Sequence, residues 1–373
     1  MDGALKSIYC CFARQNRIDK IVPYIASTTR LGKKELTFSI IAIFLGILSG
    51  LVLAECIARV VGVRPVVLDA NMFEPNSDPL LPYRLRPGYQ GYFAGGAVTI
   101  EPTGRRHIPF QSQMAHSQLQ GGNRILLLGD SGVFGLGLDD KDTIASRLKA
   151  LMMSNHTDAE VDAIGVPGYT SWNEYVALQQ YDKIDDTRVV LLVYMANDLT
   201  YDNDTLKMRD GQIDIVGHSL FHFVTRWLYS NIYISNVIFN EFKKWSQHTN
   251  MDTPAYYNVD GNLLRYSMQA IEEIKKLCDQ KNIAFLVGIY RDVIIYQHFE
   301  VEKNYEKAIM QALSARGISS FILKEHTDKL PLERAKVAWN DPHPSPEAAE
   351  LLANQIYTVL ESKRLLGKRE PAD

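Results

Sequence analysis

Four short blocks in this sequence carry residue types that could do covalent chemistry. The first is Gly129-Asp130-Ser131, which directly follows the apolar run 125–128 and precedes Gly132 and Gly135. A serine where a strand turns abruptly into a helix is exposed. The amide N–H groups opening that helix can meet a developing oxyanion, so the chemistry on offer is nucleophilic attack. The second block, Gly165-Val166-Pro167-Gly168-Tyr169, and the third, Asn197-Asp198, follow further apolar runs. The fourth, Asn340-Asp341-Pro342-His343-Pro344, stands just before the last helical stretch. Taken alone, Ser131 could equally cap its helix. Asp130 and Asp198 read as structural hydrogen-bonding groups.

Such blocks need elements to position them. Apolar runs at 125–128, 161–164, 189–194, 283–289 and 318–323 have the length of buried parallel strands. Amphipathic stretches at 143–153, 171–180, 263–280, 301–315 and 346–361 separate or follow them. This alternation predicts an α/β fold, a three-layer α/β/α sandwich around a parallel sheet. Sheets of that kind place their sites at the carboxyl ends of the strands, where the first three blocks lie. Residues 59–122, rich in Pro and Gly, read as a stalk with a small β-hairpin. An insertion at 202–260 is dense in aromatics, including Phe221, Trp227, Tyr233 and Trp245. It reads as helix packed over the sheet, as a lid, or as a surface leaning on a bilayer.

Other signals are weaker. Ser146-Arg147-Leu148-Lys149 fits S-x-x-K but lies inside an amphipathic helix without companion motifs. His218 and His222 have i,i+4 spacing but no nearby carboxylate, so a metal is not expected. No Walker loop or dinucleotide fingerprint is present, and no cofactor is expected.

The four blocks, in this order, resemble those of the SGNH hydrolase superfamily, also called GDSL esterases, over roughly residues 80–360. Tyr83-Arg84-Leu85-Arg86-Pro87-Gly88 and Thr103-Gly104-Arg105 resemble the lead-in of membrane-anchored members. The resemblance implies an SGNH, flavodoxin-like sandwich with Ser131 as nucleophile and His343 as general base. Asp341 would hold the imidazole in its useful tautomer. The backbone N–H groups of Ser131 and Gly168 and the side-chain amide of Asn197 would form the oxyanion hole, each donor worth about 3 kcal/mol. Two positions depart from the family pattern. Met195 stands where Gly is common, and the acid is Asp341 in Asp-x-His rather than at Asn340 in Asp-x-x-His.

Composition bounds the rest. Of 373 residues, 46% are hydrophobic and 22% charged, which excludes collagen-like, disordered and disulfide-scaffold classes. A net charge of −3, from 40 Lys+Arg and 43 Asp+Glu, gives no reason to expect a nucleic acid partner. Mean hydropathy is slightly negative, yet residues 36–54 contain no charge and match the length of one bilayer crossing. Lys6, Arg14, Arg17, Lys20, Arg30, Lys33 and Lys34 precede this run and predict a cytoplasmic N-terminus. The expected layout is a cytoplasmic segment 1–35, a transmembrane helix 36–58, a stalk and small β region 59–122, a catalytic domain 123–363 and a tail 364–373. Cys10 and Cys11 precede the span, Cys56 ends it, and Cys278 alone lies beyond, so no disulfide is expected there. Sequons occur at Asn155 and Asn203.

The resulting expectation is a membrane-anchored, extracytoplasmic serine esterase working through an acyl-enzyme. Its partners would be the bilayer and an ester, an O-acetyl group of a cell-surface glycan by analogy with anchored members. An alternative is an O-acyltransferase of the same chemistry, supplied by a membrane acyl-donor partner. A third, of another class, is a non-catalytic glycan-binding or assembly subunit.

Overall fold

A computed structural model describes residues 33–64, 69–110, 122–157, 159–199, 206–209, 212–215, 224, 227–228, 231–235, 237–238, 259, 261–291, 299–324, 330–338 and 341–366. Outside the described residues lie 1–32 with Cys10 and Cys11, most of the insertion with His218, His222 and the Asn203 sequon, Asn340, and 367–373. The chain divides into two compact units, Met1–Val61 and Gly62–Asp373.

In the first unit, α1 (Lys33–Val60) is a single helix of 28 residues. At 1.5 Å per residue it reaches about 42 Å, more than the ~30 Å hydrocarbon core. Phe38, Ile41, Phe44, Ile47 and Leu51 are all exposed, so the apolar surface is not confined to one face. The helix is long and apolar enough to cross a membrane.

The second unit begins with two antiparallel pairs. Strand β1 (Phe73–Pro75) pairs with β2 (Tyr83–Leu85), and β3 (Gln90–Phe93) with β4 (Gly96–Thr99). Met72, Phe73, Tyr83, Phe93 and Val98 close over Phe134, Tyr169 and Val176 in one buried cluster. The segment 69–110 is thereby fastened to the sheet domain.

That domain alternates as its sequence pattern requires. In chain order come β5 (Arg124–Gly129), α2 (Ser131–Phe134), α3 (Ile144–Ser154), β6 (Glu160–Gly165), α4 (Ser171–Gln179) and β7 (Thr187–Tyr194). A pair within the insertion follows, β8 (Leu206–Arg209) with β9 (Gln212–Ile215). Next are α5 (Gly261–Gln280), β10 (Ala284–Arg291), α6 (Phe299–Ser314) and β11 (Ser319–Lys324). The chain closes with α7 (Leu332–Ala335), β12 (Lys336–Ala338), β13 (Asp341–Pro344) and α8 (Pro346–Ser362).

The main sheet has five parallel strands in the order β11-β10-β7-β5-β6. Counting only its own strands, this is 5-4-3-1-2, the flavodoxin-like order with its switch point beside the first strand. Strand periodicity divides the core. Ile125, Leu127, Val189 and Leu191 face Leu148 of α3 and Leu352 and Ile356 of α8. Leu126, Leu128, Val190 and Leu192 face Leu178 of α4, Ile271 of α5 and Ile309 of α6. The result is the expected α/β/α sandwich.

Close packing at the strand ends dictates residue type. A Cβ on Gly165 would collide with the backbone of Val133 and Phe134, so only glycine lets β6 end against the α2 turn. Thr143 caps α3 and Ser345 caps α8, each accepting an N–H three residues on. A cap of this kind contributes about 1 kcal/mol. Cys278 is fully buried, and burial pushes its thiol up to about 12, which suits a packing role.

Candidate active site

Three strands end level. Leu128 pairs with Ile164 on one side and Leu192 on the other, so β5, β6 and β7 release their following loops at one edge. Ser131 comes from the first, Gly168 from the second and Asn197 from the third.

At the end of β5 the chain turns straight into α2. Asp130 caps that turn, its Oδ1 accepting the Gly132 N–H at 3.0 Å. Gly135 ends it in the left-handed region at φ 78°. Four residues of helix would fray unless tied down. Arg106, a buried residue, ties them: its guanidinium donates to the carbonyls of Phe134 and Gly135 at 2.8 Å, and to Leu138 and Ala97. Asp140 neutralises it at 2.8 Å. Sequence reasoning missed Arg106, whose neighbour Arg105 carried the resemblance. Nothing in its local spacing marks it out.

His343 arrives from the opposite end of the chain. Strand β13 pairs antiparallel with β12, and the Ser345 N–H bonds the Ala335 carbonyl at 2.7 Å. These ties hold His343 two residues ahead of the α8 cap. Its Nε2 lies 2.8 Å from Ser131 Oγ, within reach for proton transfer. Both residues are half-buried. Asp341 lies on the same strand, and its side chain is outside the described residues.

The oxyanion side is built on Asp130. Its Oδ2 accepts from Asn197 Nδ2 at 2.6 Å and sits 3.3 Å from Ser131 Oγ. Asn197 Nδ2 also lies 3.5 Å from the Tyr169 carbonyl, which places the amide beside the Gly168 loop. Gly168 has φ +81°, a conformation that favours glycine. Two crossed bonds brace this loop: Tyr169 donates to the Tyr83 carbonyl at 2.7 Å, and Tyr83 donates to the Pro167 carbonyl at 3.1 Å. The lead-in segment therefore positions the second block. The Met195 sulfur packs against Gly132.

Beneath this surface lie three carboxyl groups. Asp130, Glu174 and Asp198 are all within 1% of complete burial. Asp198 accepts from the Met195 N–H at 2.8 Å and from the Ser171 hydroxyl at 3.1 Å, which fixes the turn carrying Asn197. Burial and the other carboxylates push Asp198 and Glu174 well above the usual carboxylate range. Among the described residues, no such cluster is placed to hold a metal ion. Asp130 and Asp198 fit the structural role expected of them. Glu174 was not singled out in the sequence, where nothing distinguishes it from a solvated helical Glu; its burial shows only in the fold.

Fold and site together define a class: a three-layer α/β/α domain with a serine–histidine pair at the carboxyl edge of a parallel sheet. The fold is the one that the sequence resemblance implied. No family model and no curated protein matches the chain. Several solved structures are similar in outline. A lipase/acylhydrolase from Enterococcus faecalis is 14% identical over 66% of this chain and 99% of its own, with a TM-score of 0.39. The psychrotrophic esterase EstA from Pseudoalteromonas sp. is 13% identical over 65% and 98%, with a TM-score of 0.38. The acetyl xylan esterase AlAXEase is 11% identical over 64% and 99%, with a TM-score of 0.38.

Proposed function

We propose that this chain is a serine esterase of the SGNH type, held to a membrane by α1. The observation that carries this reading is the 2.8 Å approach of His343 Nε2 to Ser131 Oγ beside Asn197. Ser131 Oγ attacks the ester carbonyl as His343 takes its proton. The oxyanion is met by the Ser131 and Gly168 N–H groups and by the Asn197 amide. Collapse breaks the C–O bond, and His343 passes its proton to the leaving alcohol. Water then adds to the acyl-enzyme with its proton going to His343, and the acid leaves with Ser131 restored. Asp341 orients the imidazole in this scheme.

The substrate class we infer is an O-acetyl ester on a cell-surface glycan, the class implied by the resemblance to anchored members. The basic residues before α1 support an N-terminus in the cytoplasm and a catalytic unit outside it. Labelling the detergent-solubilised full chain with a fluorophosphonate tests the core of this reading. Wild type should label stoichiometrically and Ser131→Ala should not; equal labelling of both, or none of wild type, overturns it. Acetyl release from isolated cell-wall glycan, measured against acetyl transfer, decides between hydrolysis and transfer.

A further inference from the structure

Three buried carboxyl groups lie under the oxyanion side of the site, and they are not equally provided for. Asp130 accepts from the Gly132 N–H and the Asn197 amide, and Asp198 from the Met195 N–H and the Ser171 hydroxyl. Glu174 is fully buried, and neither of its oxygens has a hydrogen-bond partner among the described residues. A cluster of this kind cannot ionise completely, and the member without donors is the one that keeps its proton.

Among the described residues, the elements packed on α4 offer Glu174 no compensating cation. Asp130 comes from the end of β5, Tyr169 from the loop after β6, and Tyr194 and Asp198 from β7 and its turn. Helix α5 supplies Ser267, whose hydroxyl is shared between Tyr194 at 3.0 Å and Ser171 at 3.1 Å. Arg84 on β2 is engaged with Glu74, and the His343 imidazole is engaged with Ser131. The charges acting on Glu174 are those of Asp198 and Asp130, and they reinforce the effect of burial in holding its proton.

We propose that Glu174 is a positioning residue that must remain a neutral acid: its proton limits the negative charge beneath Asn197, and its ionisation turns the oxyanion site off. A further negative charge at this depth would oppose the oxyanion directly, in surroundings that screen it poorly. Because this penalty falls on the charge formed in the transition state, it lowers the maximal rate and leaves ground-state binding alone.

This role rests on the serine-esterase reading, so the test has two arms. In the first, wild-type and Glu174→Gln full chains are labelled with a fluorophosphonate across pH. The maximal labelling rate is resolved from the half-saturating concentration. At neutral pH the variant should stay within about twofold of wild type, because the amide mimics the neutral acid. Above neutrality wild type should lose at least about tenfold in maximal rate at constant half-saturation, and the variant should lose less. A variant that loses more than about tenfold at neutral pH while folded, or that follows the wild-type alkaline limb, overturns the proposal.

In the second arm, infrared spectra of protein labelled with carboxyl-13C glutamate should show a protonated glutamic acid at neutral pH that is lost in Glu174→Gln. Its absence from wild type also overturns the proposal, and this wild-type measurement stands if the variant does not fold. A wild type that never labels overturns the esterase reading and this role with it. The infrared band separates that outcome from a failure confined to Glu174.

Discussion

Asn197 gives one amide hydrogen to Asp130 at 2.6 Å, and that bond decides where the remaining hydrogen can point. Its placement depends on two carboxylates: Asp130 aims the side chain, and Asp198 holds the Met195 N–H at the start of the turn. We expect Asn197→Ala to lower the maximal rate by about 10²–10³ with little change in half-saturation, the signature of a lost oxyanion donor. Asn197→Asp should do worse, since it sets a carboxylate against Asp130, and it should also lower the urea midpoint. Equal rates for wild type and Asn197→Ala would remove this residue from the oxyanion hole. That Ser131, Asn197 and His343 stand close to one another could be anticipated from the sequence because each stands beside an apolar run or a helix start. The carboxyl cluster could not, because its members lie on three elements and meet only when β5, β7 and α4 pack. A lone Glu in a helix reads as a solvated face until burial is known.

Elements were legible for a reason that can be read from β7. Its run of alternating core-facing apolar residues, Val189 to Tyr194, is long enough for a strand and too short for a helix. The same holds for the other four strands, whose observed bounds differ from the expected ones by a residue or two at most ends. Less legible was the support of α2, a helix too short to announce itself. Its carbonyls are held by Arg106, which reaches it from a segment expected to be a stalk. The Arg106 guanidinium also lies 4.7 Å over the Phe134 ring. Burial lowers the proton affinity of this group, yet Asp140 keeps it charged. Removing one partner of such a pair strands the other, at a typical cost of about 3–5 kcal/mol. Arg106→Ala should lower unfolding free energy by that amount in urea and slow labelling of Ser131 at temperatures where the protein remains folded. Arg106→Lys should recover little, because an ammonium cannot fork across several carbonyls. Wild-type stability in Arg106→Ala would mean that α2 holds itself.

At the scale of the whole molecule, the proposal of membrane attachment turns on which surface would supply it. Two surfaces compete for that role. Helix α1 exposes an uncharged apolar run at 36–54 that is about 28 Å in length. The insertion also leaves Trp227 at 54% and Ile238 at 57% exposed, the side chains that an interfacial contact would use. The energetics separate them. Some twenty apolar residues in hydrocarbon give insertion that salt cannot reverse, whereas a few interfacial side chains give binding that washing or dilution reverses. The full chain should therefore stay with membranes through high salt and carbonate and leave only in detergent. Residues 62–373 form a compact unit with all four sequence blocks. A chain starting at Gly62 should be soluble and should label at Ser131 at the rate of the full chain. If that shortened chain still pellets with vesicles, the insertion is a second membrane contact. If the full chain is soluble without detergent, α1 is not an anchor, and the case for an extracytoplasmic glycan substrate loses its support.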